Sequence, residues 1–175
     1  VEFAGESFAF RGELLLVLGG FRVLVLQAGE LLFLLSGVGT VDFREVRMQP
    51  GKPQGFGAIG EDAIPIFTLP GNPVSAYVSF EVFVVHALRR MIGLATPERA
   101  LTTARLAGSV PAKPAKQQYL RAVVSASATG LIAEPVGGPG SQLVGGLAAA
   151  NALIVLGEEV TRVDQGDQVS VLLLD

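Results

Sequence analysis

Residues 63–93, AIPIFTLPGNPVSAYVSFEVFVVHALRRMIG, read as a strand, a sharp turn and a long helix in that order. Residues 63–69 form a short apolar run of the kind a buried strand uses. Pro70 and Gly71 then turn the chain. Asn72 is a good N-cap, and Pro73 suits the first helical position, where a missing N–H is harmless. Val74, Tyr77, Val78, Val82, Val85, Leu88 and Ile92 recur at helical spacing and predict a core-facing stripe. Phe83 and Val84 widen that face. Arg89 and Arg90 fall in the last turns, where cations complement the helix dipole, and Gly93 is placed to end it. Free N–H groups at a strand-to-helix turn can hold an anion, although most such turns bind nothing.

Upstream, residues 14–18, 23–26 and 31–35 read as buried strands. Glu13, Arg22 and Glu30 divide this leucine-rich region into runs far short of the roughly 18 apolar residues that span a bilayer. A membrane role is excluded on that ground, and no signal-peptide pattern is present. Downstream of Gly93 the chain changes character. Residues 119–125 and 131–136 predict a hairpin around Thr129 and Gly130. Residues 152–156 and 168–174 predict two more strands, with turn-rich sequence at 157–166 and a glycine-rich loop from Gly137 to Gly140. Short strands at this density suggest a small barrel or sandwich.

The 175 residues suit one large domain or two small ones. Half are apolar and 17% are charged, against about 25% in an average chain. Either the core is unusually large, or part of the surface is covered by another chain or by further sequence; the second is favoured, because large exposed apolar patches mark interfaces. A net charge of −3 with no basic tract excludes nucleic acid as a partner. The absence of cysteine excludes a disulfide frame and thiolate chemistry, and fits a reducing cytoplasm.

Three segments, in order, resemble the molybdopterin molybdenumtransferase family, which includes the bacterial enzymes, the plant molybdenum-insertion domain and the matching domain of gephyrin. They are VDFREVRMQPGKPQGFG at 41–57, FTLPGNPVSAYVSFEVFVVHAL at 67–88, and 140–175 with GSQLVGGLAAANALIVLGEEVTRV and the closing GDQVSVLLLD. The resemblance implies an incomplete α/β molybdopterin-binding domain at 1–94, with segments missing before 41, and a small all-β, barrel-like domain at 95–175. It implies a cytoplasmic homodimer that inserts molybdate into adenylated molybdopterin and releases AMP, with Mg2+ as the expected ion. Molybdopterin adenylyltransferase would act upstream. A gephyrin-like scaffold and an adenylyltransferase are the competing readings. Absent linkers disfavour the first, and the β-rich C-terminal part disfavours the second.

The resemblance also assigns residues. Lys52, between Gly51 and Pro53, would stand beside the oxyanion; by itself it reads as a solvated loop lysine. Gln49 occupies a place where the family often has a second lysine, and it supplies donors without charge. Asn72 would be a cap first and a ligand contact second, with Pro70, Gly71 and Pro73 shaping the turn. Ser75 is either an added donor or a plain first-turn serine. Arg121, in QYLRAVV, would present a planar fork of donors to molybdate, and Ser141, in PGSQLVGG, would join it from the following loop. Otherwise these two are an ordinary strand arginine and loop serine. His86 reads as a core or interface residue, and Glu61 and Asp62 as a solvated turn. No metal ligand is assigned.

Overall fold

The computed structural model describes residues 8–10, 13–18, 21–25, 39–137 and 144–174. The strand expected at 31–35 and the expected gaps before residue 41 lie outside them. The chain divides into two compact units, Val1–Val46 with Gly51–Val84, and Arg47–Pro50 with Val85–Asp175.

The first unit holds a six-stranded sheet. Its strands are β1 (Phe8–Phe10), β2 (Glu13–Leu18), β3 (Phe21–Val25), β4 (Gly39–Glu45), β6 (Pro53–Ile59) and β7 (Ile64–Thr68), while β5 (Met48–Gln49) belongs to the second unit. The spatial order is β1-β2-β3-β7-β6-β4. Leu24 of β3 pairs in parallel with Thr68, and the other neighbours are antiparallel. The register places Val41 opposite Gly57 and Phe43 opposite Gly55. Val41, Phe43 and Ile59 pack around buried Ile66. Phe56 and Phe67, paired on β6 and β7, meet at a ring-centroid distance of 4.9 Å with planes tilted by 47°. Gly57 is required by close approach: a Cβ there would overlap the Thr40 carbonyl oxygen and the Val41 Cα.

After β7 come α1 (Pro73–Ser79), a π-helical turn (Phe80–Val84) and α2 (Val85–Met91). Asn72 caps the start as expected, and the end is a Schellman arrangement around Gly93, whose φ is 82°. There Gly93 N donates to Arg90 O at 3.0 Å and Leu94 N to Arg89 O at 3.1 Å. The expected apolar stripe is only partly right. Val74, Val78 and Val84 are buried as expected, but so are Ser75, Ser79 and Glu81, whereas no residue of α2 is buried and Ile92 is 73% exposed. The π turn takes up an extra residue, so Glu81 rotates into the place predicted for Val82.

The second unit is built on β8 (Leu101–Leu106), β10 (Gln117–Ser127), β11 (Gly130–Pro135), β12 (Ala152–Leu156) and β14 (Gln168–Leu173). The order is β11-β8-β14-β12-β10, and β10 pairs again with β11, so the barrel closes. β5 adds in parallel to the start of β10. A short pair, β9 (Val110–Pro111) with β13 (Arg162–Val163), and a one-and-a-half-turn helix, α3 (Val144–Ala149), complete the unit. Ala104, Leu106, Ala122, Ile154, Val169 and Val171 form the barrel core. Among the described residues no helix is long and apolar enough to cross a membrane.

Gly57→Ala is expected to destabilise the chain by roughly 1–3 kcal/mol through overpacking. Gly108→Ala, where the added carbon meets nothing within 4 Å, should stay within about 0.5 kcal/mol. Denaturant melts of both variants check the contrast, and equal losses would contradict it. Burial pushes the Tyr119 phenol above its ordinary 10.0. The neutral form is therefore the one the fold favours, and Tyr119 contributes stability at lower pH that is lost as pH rises through the raised value. Absorbance titration of phenolate should show a late step that disappears in Tyr119→Phe.

Candidate functional site

In the first unit, the loop from β4 to β6 is drawn tight where Val46 N donates to Lys52 O at 2.8 Å. The Gln49-Pro50 peptide is cis and Gly51 has a φ of 103°. Lys52 follows, with its side chain about half exposed and Nζ 2.7 Å from Glu45 Oε2. Pro53 opens β6 directly opposite Glu45. An exposed pair of this kind contributes only about 0–1 kcal/mol, so a more highly charged anion can take the carboxylate's place at little cost. Gln49 lies on β5, beside Gln118 of β10.

Gln54 ties this loop to α1, and nothing in the sequence marked it. Its Nε2 donates to Gly51 O at 2.6 Å and to Ser79 Oγ at 2.5 Å. At the helix start, Asn72 Oδ1 accepts from Val74 N at 3.1 Å, Ser75 N at 3.2 Å and Ser75 Oγ at 3.4 Å. The Ser75 hydroxyl is thus buried and engaged with the cap, while Gly71 is exposed in the turn.

In the second unit, Arg121 lies on β10 beside Leu153 of β12. Core positions Leu120, Ala122 and Val124 alternate with it, so its side chain leaves the barrel on the outer face. It is nevertheless only 7% exposed. Two glycines explain the enclosure. A Cβ at Gly137, whose φ is 79°, would stand 3.0 Å from Arg121 Nη2, and a Cβ at Gly146 would stand 3.2 Å from Nη1. Gly137 opens the loop that follows β11 and Gly146 lies on α3, so the described ends of the loop carrying Ser141 both border the guanidinium. Ser141 itself lies outside the described residues. Lys52 and Arg121 belong to different units, and each geometry stands within its own unit.

His86 is half-buried on α2, and Glu61 and Asp62 are exposed in the turn between β6 and β7. Among the described residues, no group of three or more His, Cys, Asp or Glu side chains comes together to hold a metal ion.

Residues 30–90 match a family model described as a probable molybdopterin binding domain, and residues 103–174 match the MoeA C-terminal region, domain IV. Molybdopterin molybdenumtransferase 2 of Mycobacterium tuberculosis is 37% identical over 95% of this chain and 41% of its own length. Molybdopterin molybdenumtransferase 1 of the same organism is 34% identical over 94% of this chain and 39% of its own. The crystal structure of the molybdopterin biosynthesis moeA protein from Pyrococcus horikosii superposes with a TM-score of 0.73 at 28% identity, covering 90% of this chain and 38% of that one. The chain therefore spans about two fifths of the length of these relatives.

Gly146→Val is expected to force the guanidinium from its place and to destabilise the second unit by roughly 1–3 kcal/mol. Thermal melts would measure the loss. A variant as stable as the parent would show that the enclosure yields freely.

Proposed function

The chain belongs to the molybdopterin molybdenumtransferase family, and from that premise we propose that it serves molybdenum insertion in molybdenum cofactor biosynthesis. The substrates would be adenylated molybdopterin and molybdate: water cleaves the phosphoanhydride so that the nucleotide leaves as AMP, and the two pterin thiolates bond to molybdenum as oxide is displaced and lost as water. The observation that carries this reading is the enclosed guanidinium of Arg121, held in a glycine cradle at the ends of a glycine-rich loop. Such a group offers a tetrahedral oxyanion a preordered fork of donors. In the first unit, Lys52 supplies a cation that is released from Glu45 when an anion arrives. By the family resemblance, Ser141 is a further donor to the anion. Asn72 serves the pterin side at the helix start, with the Ser75 hydroxyl bonded to its carboxamide, and Pro53 and Gly71 shape the approaches.

On this reading residues 1–94 form the molybdopterin-binding α/β part and residues 95–175 the β domain. The working protein is a cytoplasmic homodimer fed by a molybdopterin adenylyltransferase. The described residues do not fit the Mg2+ that the resemblance implies, since no acidic donor set converges among them, and no step is routed through that ion.

Lys52→Ala and Arg121→Ala should each weaken molybdate binding on the order of tenfold or more, because hydrogen bonds to charged groups contribute roughly 1.5–3 kcal/mol. Arg121→Lys should recover little, since an ammonium cannot reproduce the planar fork. Calorimetric titration with molybdate checks this. Full affinity in both alanine variants would overturn the proposal.

A further inference from the structure

We infer that Gln54 is a positioning residue for the anion site, holding the Lys52 loop in place through its carboxamide. The inference rests on the reading of Lys52 given above. Gln54 has one NH2 group, and both of its hydrogens are used: one goes to Gly51 O at 2.6 Å and the other to Ser79 Oγ at 2.5 Å. Gly51 is buried and is bonded directly to Lys52, and Ser79, the last residue of α1, is fully enclosed. A single side chain therefore spans 25 residues of sequence to lock the loop peptide beside Lys52 onto the helix.

The competing restraint on Lys52 is weaker. Its ion pair with Glu45 joins two side chains that are each at least half exposed, and pairs of that kind are screened by solvent and salt. Any anion that replaces Glu45 removes that restraint altogether. The bonds made by Gln54 persist, because neither acceptor is needed by the ligand. Chemistry also selects the amide. Glutamate at this position has no donor for the Gly51 carbonyl, asparagine lacks the reach to join both acceptors, and leucine fills the space without either bond.

The test is a double-mutant cycle in the full chain, with molybdate as the probe and calorimetric affinity as the readout. Gln54→Leu should weaken molybdate binding about fivefold on its own, and should add no further loss to Lys52→Ala, because a displaced loop matters only while it carries the ammonium. Ser79→Ala, which keeps the Gly51 bond, should show a smaller loss with the same non-additivity, and it carries the test if Gln54→Leu fails to fold. An unchanged affinity in Gln54→Leu and Ser79→Ala, beside a weakened Lys52→Ala, would overturn the positioning role and leave the proposed function standing. Additive losses would overturn it as well. If Lys52→Ala itself binds molybdate normally, the functional reading falls and the positioning role falls with it.

Discussion

The eleven residues of β10 are bonded along both edges, and the second unit depends on that double pairing. Along one edge Gln118 through Ala122 meet β12; along the other, Ala122 through Ser127 meet β11, and Gln117 and Gln118 meet β5. Ala122 belongs to both ladders and is fully buried, so the strand passes from one partner to the next at a residue small enough to sit in the barrel wall. The register has no slack. A slip of one position would turn Leu120, Ala122 and Val124 outward and drive a guanidinium into an apolar interior. The alternation that closes the core and the placement of Arg121 outside it are one constraint.

The first unit solves a different problem, that of bringing strands very close. β6 carries glycines where β4 presents Val41 and Phe43, and those larger side chains fill the space the glycines leave. Val41, Phe43 and Ile59 thus cover Ile66, although Gly55 and Gly57 add no side chain to that face. The same strand carries Gln54 on the opposite face, and so a single element joins the sheet, the lysine loop and the helix.

Much of this was legible where local chemistry decides. Asn72, Pro73 and Gly93 mark helix ends through capping, which acts over a few residues, and the observed helix starts and stops at those marks. The strands around Thr129 and Gly130 announce themselves by alternation and a turn. Features set by distant contacts were not legible. The π turn cannot be read from FEVFV, and it moved the buried face away from the predicted stripe. The β4–β6 hairpin was hidden because Gly55 and Gly57 erase one half of the alternation. α3 contains Gly145 and Gly146, which intrinsic propensity counts against a helix. In the candidate site, Lys52 and Arg121 were singled out by the resemblance of their motifs to a family, since each by itself reads as an ordinary loop or strand residue. Neither the bonds of Gln54 nor the glycine cradle of Arg121 leaves a trace in the neighbouring sequence, because each joins residues far apart along the chain.

Arginine is among the side chains with most rotamer freedom to lose, up to roughly 2 kcal/mol when it is fixed. Arg121 surrenders that freedom as the barrel forms, because its guanidinium is buried against Gly137 and Gly146. The entropic penalty is thereby charged to folding. An anion received there, as proposed, finds a group already ordered and partly stripped of water, and its association is spared the loss that a mobile surface arginine would impose.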